Sequence, residues 1–165
     1  MRMLRIAAWL VATPLAAAAL AAAPAPAYLY NLSSFTGSIS STWAKLTYDR
    51  KNDELFVVDG GVVRIFNRLG VEVHRFGGDE DTGNVTDVAV LDDGTLVVLA
   101  GYRGRSTLLR CNYRGERIEQ LEIRGLPPEI ATPLRADGVW YEGGKLYLLE
   151  SGTMRVIVAS PDGAY

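Results

Sequence analysis

The sequence predicts an all-β chain: a β-propeller of about three four-stranded antiparallel blades, half of a six-bladed ring, after an N-terminal signal helix. Three observations predict it. One phrase, an apolar strand, a short turn, a second strand and a polar-x-x-Gly corner, occurs three times. The turns between strands are rich in Gly, Asp and Asn. The first 27 residues have the composition of a secretory leader.

The first copy of the phrase is Leu55-Phe56-Val57-Val58, Val62-Val63-Arg64-Ile65-Phe66 and Asn67-Arg68-Leu69-Gly70. It returns as Leu96-Val97-Val98-Leu99, Thr107-Leu108-Leu109-Arg110-Cys111 and Asn112-Tyr113-Arg114-Gly115. The third copy is Leu146-Tyr147-Leu148-Leu149, Met154-Arg155-Val156-Ile157-Val158 and Ser160-Pro161-Asp162-Gly163. Matching first residues lie 41 and 50 positions apart (55 to 96, 96 to 146), and matching corners 45 and 48 apart (67 to 112, 112 to 160). A β repeat of roughly 40–50 residues is the period of a propeller blade.

Residues 1–27 read as a signal peptide. Arg2 and Arg5 form a basic start, 6–20 is an apolar stretch of mostly Ala and Leu, and Ala25-Pro26-Ala27 offers the small residues of a cleavage site. The apolar stretch is short for a membrane span, so membrane contact is expected only through an uncleaved signal. Cleavage would leave a periplasmic or secreted chain from Tyr28 with 15 basic and 19 acidic residues, a net charge of about −4. That balance argues against nucleic acid as a partner. The single cysteine, Cys111, has no internal partner and sits among apolar strand residues, so it is expected as a small buried hydrophobe.

The blades follow in order. The first, residues 43–76, is expected as strands 43–48, 55–58, 62–66 and 71–76. Its turns are Asp49-Arg50-Lys51-Asn52-Asp53, Asp59-Gly60-Gly61 and Asn67-Arg68-Leu69-Gly70, all rich in residues that accept turn geometry. The second, residues 86–123, is expected as strands 86–90, 95–99, 107–111 and 117–123, with Asp92-Asp93-Gly94 as the strongest local turn signal. The third, residues 135–165, is incomplete: strands 137–141, 145–149 and 154–158, with Glu142-Gly143-Gly144 as its first turn. An outer strand over 28–36 matches 71–76 in ending on Phe with a nearby Gly, and would complete a last blade. Three blades close no ring, since rings use about four to eight. Either the chain is truncated, or two copies form a homodimer of six blades, each lending its first strand to the other.

The segment Val63-Arg64-Ile65-Phe66-Asn67-Arg68-Leu69-Gly70-Val71-Glu72-Val73-His74-Arg75-Phe76-Gly77 resembles the repeat of NHL propellers: an Arg, alternating apolar residues, a loop ending in Gly, and a strand closing on Phe-Gly. Arg155-Val156-Ile157-Val158 with Ser160-Pro161-Asp162-Gly163 repeats the pattern, and Val85–Val90 with Asp92–Val98 is similar to the family's inner hairpin. The likeness covers nearly all of residues 28–165. It departs after the second strand, where Ala100-Gly101-Tyr102 and Glu150-Ser151-Gly152 stand in place of the family's Asp and Asn. The resemblance implies a propeller scaffold; propellers host binding and catalysis alike.

Catalytic signatures are sparse. The one histidine, His74, falls on an outer strand and reads as a surface or packing residue, and a single histidine excludes a multi-histidine zinc site within this chain. An oxygen-only calcium site would draw on Asp87 and Asp137, near the starts of inner strands, or on the acidic loop Asp79-Glu80-Asp81. The sequence holds no Gly-x-Ser-x-Gly elbow and no phosphate loop. No cofactor is expected. What remains is a binding surface: Tyr102, Arg103 and Arg105 on the longest strand-to-strand insertion, beside Asp79, Glu80 and Asp81. An aromatic with two arginines on a rigid scaffold fits a protein or polysaccharide. The expected function is a non-catalytic, secreted or periplasmic scaffold; the rivals are a metal-assisted lyase or lactone hydrolase with calcium at the axis, and a truncated fragment without independent function.

Overall fold

The computed structural model describes residues 26–28, 32–34, 37–38, 43–102, 105–130 and 134–165. The leader expected over 1–27 lies outside them except for its last two residues. The described residues form thirteen β-strands, one turn of 3-10 helix at Ser151–Thr153 and no α-helix. Eleven of the strands build three antiparallel sheets in which sequence neighbours are space neighbours.

The two shortest strands come first. β1 (Ser33–Ser34) pairs with β2 (Gly37–Ser38) as a separate two-stranded element. Of the outer strand expected over 28–36, residues 29–31 and 35–36 lie outside the described residues. Sheet 1 is β3 (Lys45–Asp49), β4 (Glu54–Asp59), β5 (Val62–Phe66) and β6 (Glu72–Phe76). Sheet 2 is β7 (Asn84–Val90), β8 (Leu96–Tyr102), β9 (Arg105–Cys111) and β10 (Arg117–Leu121). Sheet 3 is β11 (Gly138–Glu142), β12 (Lys145–Glu150) and β13 (Arg155–Ala159). The expected strands recur within a few residues, with two informative departures. β7 begins at Asn84 rather than Thr86, because Asn84 and Val85 pair with Gly101 and Ala100 across a bulge ahead of Asp87. β10 stops at Leu121 rather than Ile123, since beyond it the chain turns to meet sheet 3 at an isolated parallel bridge, Arg124 to Ala164.

The repeated corners are the same structure three times. Asn67 N–H donates to the Val71 carbonyl at 3.0 Å, and Gly70 N–H to the Asn67 carbonyl at 2.9 Å; Asn112, Gly115 and Glu116 repeat this at 2.9 Å each, and Ser160, Gly163 and Ala164 at 2.8 and 2.9 Å. The Asn67 and Asn112 side-chain oxygens each accept two further backbone N–H groups. Asn is therefore a substitute for turn backbone here, and the Gly supplies a positive φ, 82° at Gly115.

The sheets stack face to face in an open series: β3 and β11 both lie against β7, and β11 also against β8. One apolar layer joins sheets 1 and 2 through Phe56, Val63, Ile65, Val88, Val98 and Cys111. A second joins sheets 2 and 3 through Val97, Leu99, Leu108, Val139, Leu148 and Ile157. Sheet 2 is thus covered on both faces, which is why β8 reads Leu96-Val97-Val98-Leu99-Ala100 with every residue buried and no alternation. At the end of the stack β13 alternates, with Ile157 and Ala159 buried and Val156 and Val158 exposed. Each fully buried Val, Leu or Ile contributes about 1.5–3 kcal/mol, so these two layers are the principal source of stability.

Candidate binding surface

The inner strands converge on a polar junction. Asp87, nearly buried on β7, accepts Val88 N–H on Oδ1 at 2.9 Å. Its Oδ2 accepts Val139 N–H of β11 at 3.0 Å and the Lys45 ammonium of β3 at 3.2 Å. Lys45 also donates to the Asp137 carbonyl, and the Thr47 hydroxyl donates to the Val88 carbonyl at 2.8 Å. One carboxylate therefore ties all three sheets. The bulge between Val85 and Asp87 re-aims that side chain into the gap between strands. Asp137 does not join it through its own carboxylate, which accepts Ser151 N–H at 3.0 Å and the Ser151 hydroxyl. Among the described residues, no group of three or more His, Cys, Asp or Glu side chains is placed to hold a metal ion.

The acidic loop is built around its first residue. Asp79 Oδ1 accepts the Thr82 hydroxyl at 2.6 Å, Thr82 N–H at 2.8 Å and Asp81 N–H at 3.1 Å. The Thr82 hydroxyl above all, with these amides, holds the Asp79 carboxyl below the usual aspartate value. Asp79, Glu80 and Asp81 are exposed while Thr82 is buried beneath them. Asp79 and Asp81 line an open cleft of about 400 Å³ with Phe76, Arg114, Glu116 and Arg117. The cleft forms because the Asn112–Glu116 corner of sheet 2 seats on β6. His74 Nε2 lies 3.0 Å from the Arg114 carbonyl, which as an acceptor requires the proton on that nitrogen, and the His74 ring stacks on Tyr113. His74 thus packs one sheet on the next.

Tyr102 ends β8 and Arg105 begins β9, paired in register, so strand pairing takes up 100–102 and 105–106 of the insertion expected between these strands; Arg103 lies outside the described residues. Arg105 is exposed and lines a second cleft, about 500 Å³, with Leu108, Leu121, Leu126, Leu134 and Glu122. Asn84, at the end of the acidic loop, pairs with Gly101 next to Tyr102, so loop and hairpin adjoin. Yet Asp79 and Asp81 open onto one cleft and Arg105 onto another. Among the described residues, the predicted set does not converge on a single point.

A third cleft was not anticipated. Where the first hairpin turns of the three sheets meet, Arg50, Lys51, Asp92, Tyr141 and Glu142 line about 460 Å³. The Tyr141 hydroxyl donates to Asp92 Oδ2 at 2.6 Å, and that bond foremost raises the phenol's pKa. The signal was present in the sequence: Asp49–Asp53, Asp92–Gly94 and Glu142–Gly144 hold equivalent places in the repeat, and stacking the sheets brings equivalent turns together.

No protein-family model matches the chain, and no curated protein matches it in sequence. A solved structure similar to it is the crystal structure of a protein of unknown function from Bacteroides caccae, at 17% identity and a TM-score of 0.48 over 76% of this chain. The chain spans 45% of that protein's length. The class defined by fold and surface is an all-β chain of three stacked antiparallel sheets with polar clefts at the ends of its middle sheet.

Proposed function

We propose that the three sheets are blades of an NHL-type β-propeller, and that the protein is exported by a leader over residues 1–27 to act as a non-catalytic scaffold for a protein or an extended polymer. The observation that carries this reading is the state of Asp87. Among the described residues, the carboxylate at the meeting point of the inner strands is occupied by two backbone amides and an ammonium, a structural arrangement rather than one poised to hold a metal or move a proton. The exposed polar groups instead lie on turns and hairpin ends, with Asp81 and Arg105 on separate clefts. Rigid sheets presenting loops in this way suit recognition.

The test is affinity electrophoresis of the exported protein through gels carrying neutral or charged polysaccharides, with plasmon resonance against isolated envelope proteins. Retention that weakens in Arg105→Ala and Asp81→Ala supports the scaffold. Calcium-dependent turnover of lactones or uronide polymers would overturn it in favour of a metal-assisted lyase or lactone hydrolase.

A further inference from the structure

Each end of the sheet stack leaves exposed some of the positions that its two internal interfaces bury. Pairing fixes the equivalence. Leu46 pairs with Val57, Val88 with Val98 and Val139 with Leu148, each at the same place in the repeat. Val88 and Val139 are 0% and 3% exposed against the preceding sheet, whereas Leu46 of sheet 1 is 62% exposed. Tyr48, two residues along the same face of β3, is exposed as well. At the other end, Val63 pairs with Val58, Leu108 with Leu99 and Val156 with Leu149. Val63 and Leu108 are 0% and 4% exposed beneath the following sheet, and Val156 is 51% exposed. Val158 and Trp140 share its face and are also exposed, with Trp140 stacked on Tyr147 at 5.1 Å between ring centroids. Farther along the Leu46 face Val57 and Phe66 are buried, so the open part of that end is its β3 half.

We propose that a second copy of this chain docks the Leu46–Tyr48 face of its β3 onto the Trp140–Val156–Val158 face of sheet 3, a head-to-tail contact that continues the stacking seen twice within one chain. A single copy carries both halves of such an interface, and large apolar side chains left exposed at both ends of the stack mark it as an interaction surface. The inference uses only the observed stacking and stands apart from the ligand reading above.

The test is light scattering and sedimentation of the exported protein across a concentration series, with the variants Leu46→Asp and Val158→Asp. Wild type self-associates, each variant alone loses association by about tenfold or more, and an equimolar mixture regains it, because one intact contact forms between Leu46→Asp's sheet 3 and Val158→Asp's β3. Rescue on mixing also shows that both variants are folded. A monodisperse monomer at about 100 μM, or variants that associate like wild type, overturns the proposal and leaves the face to a different occupant, such as another sheet of a longer chain.

Discussion

Val139 N–H donates to the carboxylate of Asp87 at 3.0 Å, across 52 residues of sequence and from one sheet to the next. The same oxygen receives Lys45 from the sheet on the other side, so a single side chain on β7 registers three layers that are otherwise held by non-directional apolar packing.

Replacing Asp87 by Ala leaves the Val88 and Val139 amides without an acceptor in a buried setting. The expected cost is about 2–4 kcal/mol, since stranded buried donors cost more than the bond they lose. Asp87→Asn keeps one acceptor and is expected to lose about half of that. Lys45→Met is expected to cost under about 1 kcal/mol, because the ammonium is partly solvated and water replaces the pair. Urea midpoints at constant m-value measure all three; an Ala variant as stable as Lys45→Met would contradict the assignment.

Glu150 gives the fold an acid sensitivity. Burial pushes its carboxyl up, but the Arg135 amide at 2.8 Å, the Thr153 hydroxyl at 3.0 Å and Arg155 at 2.9 Å together outweigh that and hold it below the usual value. A carboxyl with a depressed folded pKa contributes stability that is complete above the unfolded pKa, about 4.3, and is lost as pH falls through the folded value. Stability is therefore expected to decline from about pH 5 downward, and Glu150→Gln to show a shallower decline. Urea unfolding of both proteins at pH 7, 5 and 3 decides it; parallel slopes would assign the acid loss elsewhere.

The strands were legible because each depends on its own neighbours: apolar runs of the right length, bounded by Asn-x-x-Gly and Asp-Gly turns. Their boundaries slipped where pairing runs on past the expected turn, as at Asn84–Val85 opposite Gly101 and Ala100, and where another sheet intervenes, at Ile123 beside the Arg124 bridge. The site was less legible for the same reason. Asp87 and Asp137 were visible as acids near inner strands, but sequence holds no sign that one would be occupied by Val139 N–H and the other by Ser151. Nor does it show that Asp81 would line a cleft with Arg117 rather than with Arg105. Such contacts are fixed by how one sheet seats on the next.

Gly115 illustrates that seating. A Cβ there would stand 2.1 Å from Cγ of Phe76 on the neighbouring sheet, and its φ of 82° is disfavoured for any other residue. Gly94 has nearly the same φ, 83°, with nothing within 4 Å of the added carbon. Gly94→Ala therefore isolates the backbone cost, about 1–2 kcal/mol. Gly115→Ala adds overpacking of about 1–3 kcal/mol, and is expected to loosen the contact of β6 with the Asn112–Glu116 corner. Denaturant midpoints for the pair test this, and equal losses would mean that Phe76 yields freely.

Cys111 reports on the layer between sheets 1 and 2. Its thiol is fully buried beside Val98 and Leu109, and burial pushes its pKa up to about 11. The thiolate, the reactive form, is therefore scarce at pH 8 and shielded besides. The native protein is expected to react with an aromatic disulfide reagent at least about 100-fold more slowly than the urea-unfolded chain, and to run as the same species with and without reductant. The rate should rise in Asp87→Ala in proportion to the unfolding equilibrium, because labelling then samples the open state. A fast native reaction, or a disulfide-linked dimer, would place Cys111 at the surface and refute the packing of β9 between the two layers.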